Sequence, residues 1–294
     1  MRDEDVPAYT AALGLPGLAD IHVHFLPPPM ERKVWAYFDE AGRHYGKEWP
    51  IRYRFPEDER LQILRDLGLH AIPALTYPHK PGMAQWLNDW NAEFAARVPD
   101  GIHCGTLYPE EGVGDYVEAA LESGARLFKM HVQVGEFAPD DPLLDPAWAA
   151  LQEAGVPVVI HAGSSPLPGA YTGPDHVRTV LERFPRLTLV IAHMGNPEYR
   201  EFTDLTEEYV NVHLDTTMVG TDFWNDRNGA LPDHHLARLG GMPEKVVLGT
   251  DFPNIPYDYA HQIEALEAWG LGDDWMRAVL WDNGARLLGL APRE

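Results

Sequence analysis

The chain alternates short apolar runs, rich in β-branched residues, with longer segments of helical spacing. Eight of the runs have the length and composition of β-strands; they are 18–24, 69–75, 101–107, 125–132, 156–161, 187–193, 209–216 and 245–251. Several are almost continuously apolar, as strands are when both faces of a sheet are covered. Strand and helix in strict alternation indicate a parallel sheet. Eight such repeats predict an α/β fold, a (β/α)8 TIM barrel with long rim loops.

The domain organisation follows from the length of the chain and from two long connections. A length of 294 residues fits one barrel of about 250 residues with insertions, so we expect a single domain over 1–294. Segments 25–55 and 218–231, which follow the first and seventh predicted strands, exceed the usual strand-to-helix loop. Barrel enzymes place their active sites at the carboxyl ends of strands. We therefore expect both insertions, and the rim insertion at about 25–55 in particular, to lie over the active site.

Charge and cysteine content limit the partners and the chemistry. The formal net charge of −22 opposes binding to a phosphate backbone, so no nucleic-acid partner is expected. The acidic start of the chain and the lack of long apolar runs predict a cytoplasmic protein without membrane association. Cys104 is the only cysteine, so histidine and carboxylate must hold any metal ion. A small molecule is the expected substrate, and a homo-oligomer is left open.

Histidine and aspartate recur at the ends of the predicted strands. His22 and His24 are two residues apart at the end of the first strand. Successive side chains of a strand point to opposite faces, so these two lie on the same face. His161, His193 and Asp251 end the fifth, sixth and eighth strands. Imidazole nitrogens with a carboxylate oxygen suit Zn²⁺ or a similar divalent ion, and three or four protein ligands leave a position for water. The pattern therefore predicts a catalytic metal site at the barrel mouth.

Four motifs together resemble the amidohydrolase superfamily, specifically its amidohydrolase-2 branch, which includes aminocarboxymuconate-semialdehyde decarboxylase, aromatic-acid decarboxylases and assorted hydrolases. The motifs are D-I-H-V-H at 20–24, I-H-A-G at 160–163, A-H-M-G at 192–195 and G-T-D-F-P at 249–253. The resemblance spans the whole chain. It implies a metal-dependent enzyme in which His193 and Asp251 handle protons. It implies a ligand set for the metal as well, namely His22, His24, His161 and Asp251.

Lys129 and His131 share a face at the end of the fourth predicted strand. In two-metal members of the superfamily a carboxylated lysine at this strand bridges the ions, and His193 would then join His161 as a ligand of the second ion. We favour one divalent ion, Zn²⁺ with Mn²⁺ as an alternative. With one ion, Lys129 would orient an anionic substrate and His131 would donate a hydrogen bond to a ligand.

Three further residues are candidates for contact with the substrate or with a metal ligand. Trp35 lies in the first insertion, among aromatic and basic residues that would suit a planar carboxylated substrate. The same residues also fit a small apolar core of the insertion with solvated charges around it. Tyr171 is a candidate pocket wall. Asp215 at the end of the seventh strand is either an acceptor for a ligand histidine or, more economically, for a backbone N–H group.

Two reaction classes fit this machinery. The first is hydrolysis of a C–O or C–N bond in a small amide, ester or lactone through metal-activated water. The second is decarboxylation of a small carboxylic acid. A non-catalytic metal-binding scaffold is the third reading, which the intact set of candidate ligands and His193 disfavours. Because one fold hosts many reactions, the motifs indicate the machinery and leave the substrate open.

Overall fold

The computed structural model describes residues 1–291, in which short strands alternate with helices. The strands are β1 (Ile72–Pro73), β2 (Gly101–Ile102), β3 (Cys104–Thr106), β4 (Leu127–His131), β5 (Val158–His161), β6 (Leu189–Ile191), β7 (Val212–Asp215) and β8 (Val246–Val247). The helices are α1 (Val6–Ala12), α2 (Pro28–Asp39), α3 (Ala41–Tyr45), α4 (Glu57–Asp66), α5 (Ala84–Arg97), α6 (Val113–Glu122), α7 (Val132–Gly135), α8 (Asp145–Ala154), α9 (Pro174–Arg183), α10 (Tyr199–Glu208), α11 (Asp222–Asn228), α12 (Asp233–Gly240), α13 (Tyr259–Glu267), α14 (Asp273–Arg277) and α15 (Asn283–Leu288). Short 3-10 helices lie at Asp3–Asp5, Pro142–Leu144, Ala192–Gly195 and Pro243–Lys245, and a π-helix lies at Ala278–Asp282. Within residues 1–291, no helix combines the length and the apolar character needed to cross a bilayer.

The chain forms two compact units. The first unit combines Met1–Ile72 with the chain from Thr216 onward, and the second unit is Pro73–Asp215. The first unit thus contains α1–α4, β8 and α11–α15, whereas the second contains β2–β7 and α5–α10. The expectation of a single domain over 1–294 stays a prediction.

The second unit is built on a parallel sheet whose strands follow the chain order β3, β4, β5, β6, β7. One row of the register pairs Phe128 with Val158, Val158 with Leu189 and Leu189 with Val212. All four side chains are completely buried. Parallel neighbours of this kind require a crossover between strands, and α6 and α8–α10 lie in these connections. The predicted parallel α/β arrangement is confirmed for these strands.

Both faces of this sheet are covered, which explains the continuous apolar runs in the sequence. The first four residues of β4 are fully buried, although their side chains point alternately to opposite faces. Helix α9 shows the matching pattern, because Val177, Val180 and Leu181 are buried on one side of it. Strands covered on both sides lose the alternation of polar and apolar residues, as parallel sheets generally do.

The first predicted strand, 18–24, is not a regular strand. Among residues 1–291 it makes two isolated bridges, from Leu18 to Leu69 and from Val23 to Phe252. Its backbone N–H groups donate to several separate segments, with the pairs Leu18 to Gly68, Ala19 to Leu280, Ile21 to Leu248 and His24 to Phe252. The partner changes every few residues, so no continuous ladder forms. Prediction of a regular strand here was wrong, although the segment is held by backbone hydrogen bonds.

The first insertion contains two helices where the sequence predicted a loop. Helix α2 begins with two prolines after Pro27, in the first turn, where proline's missing N–H and fixed φ are compatible with a helix. Trp49 is 5% exposed and contacts the rings of Phe38 and Tyr45, with centroid distances of 5.3 and 5.9 Å. The insertion therefore has its own aromatic core, as the second reading of its composition predicted.

The second insertion, 218–231, packs on the first within the same unit. The ring of Phe223 in α11 lies 4.8 Å from that of Trp49. The ammonium of Lys47 lies 4.5 Å above the Phe223 ring and donates to the Phe223 carbonyl. Arg227 donates to the carbonyl of Tyr45 at 3.0 Å. The two insertions are thus joined by contact between aromatic rings and by hydrogen bonds from Lys47 and Arg227.

Candidate metal centre

His22, His24 and Asp251 come together in the first unit. Their candidate ligand atoms all lie within 4.8 Å of one another. The Nε2 atom of His24 lies 2.8 Å from Oδ1 of Asp251, and Nε2 of His22 lies 3.6 Å from the same oxygen. The two imidazole rings meet edge to face at a centroid distance of 5.0 Å. The side chains are 1%, 4% and 16% exposed, so the group is buried with one edge towards solvent.

The geometry of this group fits a divalent ion. Ligand atoms of one tetrahedral zinc ion lie about 3.4 Å apart, because each is about 2.0–2.2 Å from the metal. The two measured separations from Asp251, 2.8 and 3.6 Å, lie on either side of that value. Two imidazoles and one carboxylate are also a ligand set that zinc and other first-row divalent ions accept. His22, His24 and Asp251 could therefore hold a metal ion.

Hydrogen bonds on the far side of His22 fix its orientation. Its Nδ1 atom lies 3.0 Å from the hydroxyl of Thr217, so the other ring nitrogen, Nε2, faces Asp251. The backbone N–H of His22 donates to Asp20, whose carboxylate also accepts from Thr250 at 2.6 Å and Tyr259 at 2.9 Å. Asp20 is completely buried. Partners behind a ligand histidine hold its ring and its tautomer in place.

Asp251 has a left-handed backbone, with a φ of 71°. Aspartate adopts this conformation at a cost that the surrounding structure must offset, and such outliers cluster at functional sites. Its N–H donates to the carbonyl of His22 at 2.9 Å, and its carbonyl accepts from Asn254 at 2.8 Å. The carboxylate therefore extends from a constrained turn.

A second group of imidazoles lies in the second unit. The ring of His131, at the end of β4, is stacked on that of His161, at the end of β5, with a centroid distance of 4.1 Å and an angle of 11°. The ring of His193 lies 4.8 Å from that of His161. The Nε2 atom of His161 donates to the carbonyl of Ser165 at 2.8 Å, which leaves Nδ1 as the basic nitrogen of a neutral ring. That tautomer suits a metal ligand. Its participation with the first-unit residues stays a prediction.

His193 lies two residues beyond the end of β6, in a turn, and not in the strand as predicted. Its φ is 54°, and Met194 also has a positive φ. The N–H of His193 donates to Oδ1 of Asp215 at 2.8 Å, which is the backbone bond that the sequence favoured for Asp215. Gly195 completes the turn with a φ of 74°, and a Cβ there would lie 2.0 Å from the Phe202 ring. Packing alone therefore requires this glycine.

The other sequence candidates occupy different environments. Lys129 in β4 is completely buried, and its carbonyl accepts from the hydroxyl of Thr106. Tyr171 is 37% exposed and lies beside the ring of His176 at a centroid distance of 5.9 Å. Trp35 in α2 donates to Asn254, three residues after Asp251. Their roles towards a substrate stay predictions.

Six residues that hold these groups were not among the predicted site residues, namely Asp20, Thr217, Thr250, Tyr259, Asn254 and Ser165. For Asp20 a signal was present, because it shares its strand face with His22 and His24. The other partners are ordinary residue types at long sequence separation. Only the folded structure shows which of them contact a histidine, Asp20 or Asp251.

Solved structures share this fold. One is a TIM-barrel protein of Bordetella bronchiseptica with a TM-score of 0.69 and 21% identity, covering 92% of this chain and 98% of that protein. A second is described as a 2-pyrone-4,6-dicarboxylic acid hydrolase of Pseudomonas putida, with a TM-score of 0.60 and 17% identity, covering 93% and 98%. A third is a manganese-bound 5-carboxyvanillate decarboxylase of Novosphingobium aromaticivorans, with a TM-score of 0.54 and 17% identity, covering 92% and 95%. These likenesses confirm the predicted TIM-barrel fold class.

Comparison at the level of sequence gives the family. None of the curated proteins matches the chain. The family model described as Amidohydrolase matches residues 19–290, a span that includes every candidate ligand. The resemblance inferred from the four motifs is thus confirmed, and the chain belongs to the amidohydrolase family.

Proposed function

We propose that this chain is a metal-dependent hydrolase that cleaves a C–O or C–N bond of a small amide, ester or lactone. The observation that carries the proposal is the buried group of His22, His24 and Asp251, whose ligand atoms lie within 4.8 Å of one another. We propose one divalent ion for this site, Zn²⁺ or alternatively Mn²⁺, with His161 as a further ligand. A bound ion of this kind polarises a carbonyl group and lowers the pKa of water towards neutrality.

The chain's own residues then orient the reactants and move protons. His193 is the proposed proton carrier, because an imidazole exchanges protons near neutral pH without a strongly shifted pKa. Its turn is held by the hydrogen bond from its N–H to Asp215, which restricts where the ring can lie. The Asp251 carboxylate is the second proposed proton acceptor. Lys129 is proposed to orient an anionic part of the substrate through its ammonium group.

Metal analysis of single variants tests the first step of this proposal. We expect the purified protein to hold about one ion per chain and Asp251→Asn to lose most of it, because the amide is a weaker ligand than the carboxylate. Asp66→Asn is the matched control, since Asp66 is exposed at the end of α4 and accepts a local hydrogen bond from Gln62. Full metal content in Asp251→Asn would contradict the site. Two ions per chain with a carbamate on Lys129 would replace the one-ion proposal.

The reaction itself is tested by a substrate panel. The metal-loaded protein is assayed against lactones, amides and aromatic carboxylic acids while carbon dioxide release is monitored. Hydrolysis products without carbon dioxide support the proposal. Carbon dioxide release would favour the second candidate, decarboxylation of a small carboxylic acid, which is the activity of the manganese-bound enzyme that shares this fold.

A further inference from the structure

The first insertion, 25–55, contacts the turn that carries Asp251 through hydrogen bonds and ring packing. Asn254, which is 3% exposed, closes this turn by donating its N–H to the carbonyl of Asp251 at 2.8 Å. Both oxygens of Asn254 accept from indole groups of the insertion. Trp35 donates to the side-chain Oδ1 at 3.2 Å, and Trp49 donates to the backbone oxygen at 2.7 Å. A single residue of the turn is thus held from two directions.

The first insertion makes two further contacts, one on each side of Asn254 in the sequence. The N–H of Arg52 donates to the carbonyl of Ile255 at 2.8 Å. The ring of Tyr53 lies 4.7 Å from that of Phe252, the residue next to Asp251. The insertion therefore contacts three of the four residues after Asp251. It packs against the ring of Phe252 and donates hydrogen bonds to Asn254 and to the carbonyl of Ile255.

Both indole rings are themselves fixed, so their N–H groups point in set directions. Trp49 belongs to the aromatic core of the insertion. The guanidinium groups of Arg54 and Arg60 lie 5.3 and 5.2 Å from the centre of the Trp35 ring. Guanidinium groups at this distance attract an indole ring face. Trp35 is therefore already engaged by protein groups, which makes it a poor stacking surface for a planar substrate.

We propose that Trp35 and Trp49 are positioning residues for Asp251, holding its left-handed turn through Asn254 so that the carboxylate meets His22 and His24. This inference rests on the proposed metal site. An aspartate with a φ of 71° stays in that conformation only if neighbouring contacts favour it, and the two indole bonds are such contacts. The first insertion then contributes to metal binding without supplying a ligand, in addition to any role above the substrate.

Replacing each tryptophan with phenylalanine tests the hydrogen bonds while keeping an aromatic ring. We expect Trp49→Phe and Trp35→Phe each to weaken metal binding about tenfold, the lower end of the effect seen when a group that orients a metal ligand is removed. Binding is measured as the Kd for zinc by competition with a chromophoric chelator. Cobalt(II) substitution gives a second readout, because its visible spectrum reports the geometry of the ligands.

Trp275→Phe is the matched control for loss of an indole bond. Trp275 is 3% exposed in the same unit and donates to the carbonyl of Leu239 at 3.0 Å, in α12. We expect this variant to lose thermal stability but to keep the zinc Kd and the cobalt spectrum of the unsubstituted protein. Loss of stability without loss of affinity in all three variants would show a purely structural role and overturn the inference.

The outcomes also separate this inference from the proposed function. If the unsubstituted protein binds neither zinc nor cobalt, the metal site fails and the inference fails with it. If it binds metal and both Trp35→Phe and Trp49→Phe bind within twofold of the same Kd, the metal site stands and the positioning role is wrong. Weaker binding with an altered cobalt spectrum in either variant supports the positioning role.

Discussion

Removal of the Tyr259 hydroxyl tests whether Asp20 is an ionised carboxylate behind the candidate metal site. Both side chains are completely buried, and the hydroxyl donates to Oδ2 of Asp20 at 2.9 Å. Burial and the Asp20 charge raise the pKa of Tyr259 well above its usual value, so the hydroxyl keeps its proton and donates. A hydrogen bond to a charged group contributes about 1.5–3 kcal/mol. We expect Tyr259→Phe to lower the free energy of unfolding by that amount.

Tyr108→Phe supplies the neutral comparison. Tyr108 is 9% exposed, and its hydroxyl donates to the uncharged carbonyl of Gly135 at 3.1 Å. A neutral bond contributes about 0.5–1.5 kcal/mol, so this variant should lose less stability. Urea titration followed by far-UV circular dichroism measures both variants. In an Asp20→Asn background the loss from Tyr259→Phe should fall to the neutral value. Equal losses for Tyr259→Phe and Tyr108→Phe would refute the charged state of Asp20.

Three further changes test the packing, the acid response and the proton carrier. Gly284→Ala should destabilise the protein by about 1–3 kcal/mol in urea, although alanine favours helices, because the added Cβ would lie 2.1 Å from the carbonyl oxygen of Ala19; greater stability would contradict that close approach. Burial lowers the pKa of His103, so its contribution to stability is complete above about pH 6.5 and is lost as the pH falls through the lowered value. The free energy of unfolding of His103→Gln should therefore fall less than that of the unsubstituted protein between pH 7 and 5. An equal fall in both proteins would contradict this role of His103. His193→Asn should abolish most turnover and keep the metal content, whereas parallel loss of both would identify His193 as a ligand.

The sequence predicted the sheet of the second unit well because its strands are buried on both faces. The run 158–160 in β5 is apolar throughout, so its position can be read without knowledge of its neighbours. The end of that strand at His161 was also predicted correctly. The sixth strand was predicted to end at His193, two residues too late. Apolar residues continue past the strand into a turn that only the backbone angles reveal.

The first unit was predicted less completely because its order depends on partners far away in the chain. Segment 18–24 has the composition of a strand, but its hydrogen bonds go to several segments. The start of α2 was missed within the predicted rim loop, although proline at the first helical positions, here Pro28 and Pro29, is a helix start signal. The bond from Trp49 to Asn254 joins residues 205 positions apart, and no local pattern indicates such a contact.

The discontinuity of the first unit has a consequence for biosynthesis. Its contacts join the beginning of the chain to its last third, as in the bond between Asp20 and Thr250, which are 230 positions apart. A ribosome adding about 5–20 residues per second synthesises the whole second unit, Pro73–Asp215, before Asp251 is added. During translation, His22 and His24 are therefore synthesised long before Asp251, whose carboxylate completes the candidate metal-binding group. If the proposed metal site is correct, nascent chains that end before residue 251 should bind the ion weakly, and its uptake would follow the synthesis of Asp251.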